Sequence, residues 1–260
     1  DGLDKTVYTV TVTRASGGGS AGPTYYAVTS GGRVLAVAVD PVRKNLTVKA
    51  DGEMGERLAA GVSETIQFVG GGYESFSLDI PVAFLSGSNG GAITLETAIG
   101  RVMIPANMLE GLDGGKATIT IRRFDASGFP EDVRTAIGSR PVVELTLTVD
   151  GKPVEWNNPE APVTVSIPYT PTKEERENPE SIIVWFIDGV GNLVCVPNGR
   201  YDAETGTVTF ATTHFSLFAA GFRPVRFADV PEDAWYYQAV GFLAARGITN
   251  GTGGGLFSPD

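Results

Sequence analysis

Between Tyr25 and Phe222 the chain is a succession of short segments rich in Val, Ile, Thr and Phe, each closed by Gly, Asn or Asp. Those of the first half are Val34–Val39, Asn45–Ala50, Thr65–Val69, Ser75–Ala83, Ala92–Thr97 and Arg101–Ile104. Ala117–Phe124, Val142–Val149, Val163–Tyr169, Ile182–Ile187, Leu193–Val196 and Thr207–Thr213 follow. Turn pairs such as Asp51-Gly52, Asp113-Gly114, Asp150-Gly151 and Asp188-Gly189 stand between them. Segments this short, cut by turn-forming residues, cannot bury a helical stripe; they pair into sheets. The spacing predicts a mainly β chain, an antiparallel β-sandwich built as two stacked subdomains over 25–124 and 141–222. The stretch TVTFATTHFSLFAAGF, Thr207–Phe222, reads as one long strand and its continuation that close the second of them. Short helices are expected at Pro105–Leu112 and at Lys173–Asn178.

Composition then removes whole classes of function. A net charge of −10 on 260 residues leaves nothing to neutralise a run of phosphates, so nucleic acid is excluded as a partner. No apolar run approaches the roughly 18 residues of a membrane helix, and no membrane insertion is expected. One Cys and one His make a metal site improbable and an internal disulfide impossible. Cys195, in Leu193-Val194-Cys195-Val196, reads as a small buried hydrophobe. No cofactor motif is present: Gly17–Gly19 and Gly253–Gly255 lack the Lys and helix of a phosphate loop.

Residues 1–14 form an orphan strand in which Tyr8, Val10 and Val12 alternate with Val7, Thr9, Thr11 and Thr13. Residues 15–24 are a Gly/Ser linker. Such a strand docks on the next module, belongs to a domain elsewhere, or adds to the sheet of a neighbouring copy. The opening DGLDKTVYTVTVTRAS has neither a charged n-region nor an apolar h-region, so if the parent protein is exported the chain is expected to be a mature fragment or an excised piece of it. YTVTVTRA resembles the last strand of cadherin-like β-sandwich repeats of bacterial surface proteins. Gly91–Leu109, Pro162–Tyr169, Ile183–Asp188 and Thr213–Ser216 resemble modules that precede anchoring repeats in cell-surface proteins.

Composition changes again at 226–260, RFADVPEDAWYYQAVGFLAARGITNGTGGGLFSPD. Asp233 is placed to cap a helix with Trp235, Ala239, Val240 and Leu243 on one side, and Gly247 to stop it. Phe227, Asp229, Val230, Trp235, Ala239-Val240, Leu243, Gly247-Ile248, Gly251, Gly255, Phe257 and Pro259-Asp260 resemble the first half of an S-layer homology module. That likeness implies an extracellular protein at the surface or cell wall of a Gram-positive-type bacterium. It also implies secondary cell-wall polysaccharide as the partner, with Asp229, Trp235 and Gly251 on the ligand side once the module is complete. The family's second helix, with its Thr-Arg-Ala-Glu signature, would begin after Asp260. Within a half module, Trp235 is expected as a core aromatic that holds the helix to its loop.

His214-Phe215-Ser216 matches a triplet at which several β-domains cut their own backbone. There Ser216 Oγ attacks the Phe215 carbonyl, and His214 takes the proton. The competing expectation is a satisfied structural histidine in a closing strand. The residues therefore point to a structural surface scaffold that links extracellular β-repeats to a wall anchor. The alternatives are a filament or layer subunit that joins copies by strand addition, and a self-cleaving module at Phe215–Ser216. Carbohydrate binding by the β part would rest on Trp156, Trp185 and Tyr25-Tyr26, which are better read as core aromatics.

Overall fold

The structure, a computed structural model, describes residues 25–87 and 90–259. The orphan strand and linker expected at 1–24 lie outside the described residues. The chain begins with β1 (Tyr26–Thr29), β2 (Val34–Asp40), β3 (Asn45–Lys49), helix α1 (Gly52–Ala59), β4 (Glu64–Val69) and β5 (Ser75–Pro81). β6 (Ala92–Thr97), β7 (Gly100–Pro105), β8 (Lys116–Arg123), α2 (Glu131–Ile137), β9 (Val142–Val149) and β10 (Lys152–Pro153) follow. Next come β11 (Val163–Pro168), α3 (Lys173–Glu177), β12 (Ile182–Ile187), β13 (Leu193–Cys195) and β14 (Arg200–Asp202). β15 (Thr207–Thr212), β16 (Leu217–Phe222) and α4 (Tyr237–Ala245) complete it.

These strands make two layers joined through β2. Its first half pairs with β1 (Val28↔Val34), and its second half pairs with β3 (Val37↔Val48). On one side the order runs β1-β4-β6-β7-β11-β15-β14, and on the other β3-β5-β8-β9-β16-β12-β13. Phe68 meets Phe76 at 5.3 Å and Phe210 meets Phe218 at 4.7 Å, each pair joining one layer to the other across a single core. The chain is mainly β, as its pattern predicts. The two halves expected as stacked subdomains share both layers: β7 pairs with β11, and β8 pairs with β9. Buried residues of both halves, from Ala27 to Ala220, meet in one main cluster.

Two pairs are parallel, β3 with β5 and β4 with β6, where an all-antiparallel arrangement was expected. A parallel pair needs a long crossover. Here each crossover is a strand of the opposite layer, and α1 lengthens the first. Asp51-Gly52, expected as a turn, is the start of that helix, where the Asp51 carboxylate accepts the Met54 N–H at 3.0 Å. Asp150-Gly151 is a true hairpin turn, with φ 48° and 78° at its two central residues.

The break at 124–141 holds α2, which covers the outer face of the second layer. This explains why β12 is apolar throughout. Ile182 and Val184 face the main core, while Ile183, Trp185 and Ile187 pack under α2 with Val133 and Ile137. α3 forms where expected, with Thr172 and Glu175 completing a capping box. Pro105–Leu112 is a run of tight turns instead of a helix, because the Leu109 N–H leaves the segment to reach Leu85 O at 2.8 Å.

Thr207–Phe222 is not one strand. β15 lies in the first layer, between β11 and β14, and β16 lies in the second, between β9 and β12. Thr213–Ser216 is the corner where the chain crosses from one to the other.

Candidate functional site

The C-terminal segment has its own small core of Phe227, Val230, Val240 and Ala244, with Phe257 against Phe227 at 5.5 Å. Asp229 holds the closing loop: one carboxylate oxygen accepts the Phe257 N–H at 2.8 Å, and the other accepts the Ser258 N–H at 2.7 Å. The Phe257 bond leads in holding this carboxyl below the usual range. Gly251 has φ 70°, and a Cβ there would lie 2.2 Å from Leu256 O and 2.6 Å from the Phe227 ring. Asp229 and Gly251 therefore shape the loop from inside.

Trp235 corrects the expectation of a core aromatic. It is 92% exposed, edge-on to Tyr236 at 5.5 Å. The cause is the late start of α4. The helix begins at Tyr237 without a side-chain cap, so Asp233 and Trp235 fall in the turns before it. Its buried side is Val240, Ala244, Ala245 and Arg246, and Ala239 faces outward. Gly247 ends it as predicted, at φ 68°, with Gly247 N–H on Ala244 O and Ile248 N–H on Leu243 O.

Arg246 joins this segment to the β structure. It is 4% exposed and makes no ion pair with a carboxylate among the described residues. Its Nε and Nη2 donate to Gly199 O at 3.0 and 2.5 Å. Nη2 also reaches Ile182 O at 3.1 Å, and Nη1 reaches Glu180 O at 2.8 Å and Phe242 O at 3.0 Å. The guanidinium lies 3.4 Å from the centre of the Phe242 ring. Burial lowers its pKa to about 10, so it remains a cation at neutral pH. Beside it Ala245 enters the cluster of α2 and β12, and Arg226 donates to Asn178 at 3.3 Å. In sequence, an arginine before a helix-stopping glycine looks like a solvated charge at the negative end of the helix dipole. Nothing in Leu243-Ala244-Ala245-Arg246 signals its burial.

At the corner 213–216 no hydrogen bond joins His214 to Ser216 among the described residues. Ser216 Oγ donates to Ile187 O at 3.3 Å. The His214 ring stands edge-on to Phe186 at 4.8 Å, and its buried Nε2 has no hydrogen-bond partner among the described residues. Burial pushes its pKa below the usual histidine value. Phe215 packs on Trp156 at 4.9 Å. The expected satisfied histidine is thus an unsatisfied one, held among rings. Trp156 and Trp185 are buried, and Cys195 is half-buried with its thiol pKa raised by burial. Among the described residues no group of His, Cys, Asp and Glu is placed to hold a metal, and no helix is long and apolar enough to cross a membrane.

The S-layer homology domain family matches residues 226–260, the stretch whose loop Asp229 clamps and whose helix Arg246 seats. This stretch is S-layer homology sequence. An amylopullulanase of Thermoanaerobacterium thermosulfurigenes is 30% identical over 125 residues. The match covers 46% of this chain and only 6% of that relative's length. No solved structure matches the chain. The S-layer homology segment makes this chain part of a cell-surface protein anchored at the cell wall.

Proposed function

We propose that residues 25–222 are a load-bearing spacer that presents the S-layer homology segment to the wall and carries out no turnover of its own. The observation behind this reading is the Arg246 joint. A segment on a free linker would shed force into the linker. Here a buried cation on three backbone carbonyls outside its own helix, together with Ala245 under α2, fastens the anchor to the sheets. The S-layer homology segment, on this reading, binds secondary cell-wall polysaccharide. Trp235 is the one of the three candidate ligand residues that stays free for contact, since Asp229 and Gly251 are committed to the loop. Strand addition has little to start from on the described residues. The layers end at β13 and β14, three residues each, and short edges are poor templates for pairing.

Pulling a single molecule from residues 25 and 259 tests the spacer. The S-layer homology segment is expected to come away in the same event as the sheets. An earlier low-force release of the last 37 residues, roughly 130 Å of extended chain, would show the joint to be mechanically idle.

A further inference from the structure

An open cleft of about 650 Å³ lies on the outer face of the first layer and shares no lining residue with the S-layer homology segment. Its floor comes from β11 and β15. Thr209 Oγ1 donates to Ser166 Oγ at 2.9 Å and lies 3.4 Å from Thr207 Oγ1. Thr207 in turn is 2.8 Å from Thr205, whose hydroxyl donates to Asp202 at 2.9 Å. Side chains seldom bond to side chains on a solvated sheet face, where water serves as well. Since each hydroxyl has one proton, the donors run in two short chains, Thr207 to Thr205 to Asp202 and Thr209 to Ser166, and each oxygen keeps a lone pair for a further partner.

The rim carries charge of both signs in equal number. Arg101 lies 3.5 Å from Glu96, and both are partly exposed. Arg200 and Asp202 stand on the opposite rim, and Arg200 acts on Asp202 through charge alone; its guanidinium makes no hydrogen bond among the described residues. Two cations against two carboxylates favour neither a polyanion nor a polycation. No large exposed apolar side chain lines the cleft, so it lacks the anchors on which protein interfaces depend. What remains is a surface in which hydroxyls and planar charged groups alternate with apolar patches at Phe68, Ala98 and Pro168, with room for about two or three sugar rings at ordinary ligand-pocket sizes.

We propose that this cleft binds a neutral, polyhydroxylated chain, a short stretch of uncharged polysaccharide. Hydroxyls of the ligand extend the Thr205–Thr207–Thr209–Ser166 row, and Arg200 supplies the free donors. With no aromatic platform the affinity is low, with a Kd on the order of 1 mM.

The test is a titration of the 15N-labelled full chain, followed by NMR, with maltohexaose, cellohexaose and xylohexaose, and separately with polygalacturonate. Saturable shifts at 96–101, 166–168 and 200–209 are expected with at least one neutral hexasaccharide. Arg200→Ala and Thr209→Val each weaken them about tenfold, the worth of one good hydrogen bond to a polar ligand, with the rest of the spectrum unchanged. The proposal is overturned if no neutral hexasaccharide saturates at about 10 mM, a level well above the expected Kd. Shifts elsewhere, binding of polygalacturonate alone, or indifference to both variants overturn it equally. None of these results bears on the wall anchor, which uses other residues and another readout.

Discussion

Arg246→Ala is the sharpest probe of the joint between spacer and anchor. Truncation strands the carbonyls of Gly199, Glu180 and Ile182, which are inside the interface and have lost their shared donor. Each charge-assisted bond of this kind is worth about 1.5 kcal/mol or more. The sum is reduced because burying the cation costs desolvation, as its lowered pKa reports. A net loss of about 3 kcal/mol is therefore expected. It falls on the opening of α4 from the sheets rather than on the sheets themselves. Amide hydrogen exchange across 237–245 is expected to speed up about 100-fold, the equivalent of that loss at 1.4 kcal/mol per decade. Exchange in β5 and β8 changes little. Arg246→Lys keeps the charge but offers no planar fork to reach three separate carbonyls, so it recovers less than half of the protection. Exchange in α4 that stays within about threefold of the parent, a difference under about 0.7 kcal/mol, would refute the joint.

Gly251→Ala forces a Cβ into Leu256 O and the Phe227 ring at a left-handed position. The Asp229-clamped loop is expected to lose order at a cost of about 2 kcal/mol or more, read as loss of amide protection at 257 and 258. His214 titrates lower folded than unfolded, so the unfolded chain takes up its proton first. Stability is full above the ordinary histidine pKa and declines as pH falls below it; denaturant midpoints from pH 8 to 5 should show this slope, and His214→Leu should lack the part that His214 contributes. Trp235→Ala is expected to leave the thermal midpoint unchanged, since the ring is exposed. In the parent protein it should reduce co-sedimentation with purified walls, and undiminished sedimentation would count against a role in binding. Boiled protein on a denaturing gel is expected to run as a single full-length band, because Ser216 Oγ is turned to Ile187 O. A long and a short fragment would revive self-cleavage.

All twelve strand segments read from the sequence are strands in the structure, with ends within a residue or two. Their residues do the same work in any sheet, pressing a β-branched or aromatic side onto a core. What escaped notice depends on partners far away in sequence. β1 and β14 are too short to announce themselves, and α1 and α2 are short helices that depend on the sheets they cover. The pairing of β7 with β11, which merges the two halves, follows from the crossover of layers, not from any local signal. At the C-terminal segment, Gly247 was legible because a left-handed backbone demands glycine, whereas Gly251, read as a ligand-side position, proves to share that conformation. Trp235 was misplaced because its apolar character fits a buried position as well as an exposed one.

The corner at 213–216 explains why a change of layer can stay hidden. Val208, Phe210 and Thr212 point inward from β15, and Phe218 and Ala220 point inward from β16. All are even-numbered, so the period-two pattern runs through the corner without a slip, although the chain moves from one sheet to the other. The two sheets face the same core, and the crossing therefore reverses nothing in the pattern that burial imposes. β16 differs in one respect: Ala219 is also buried, on the side of α2. The small residues Ala219, Ala220 and Gly221 mark that second contact, since a Cβ at 221 would lie 2.6 Å from the Trp185 ring. The same outer surface receives Ala245 of α4. The stretch that crosses between layers thus ends as the strand under α2 and beside Ala245 of α4, which is where, on the proposed spacer reading, a pull on the S-layer homology segment would enter both sheets.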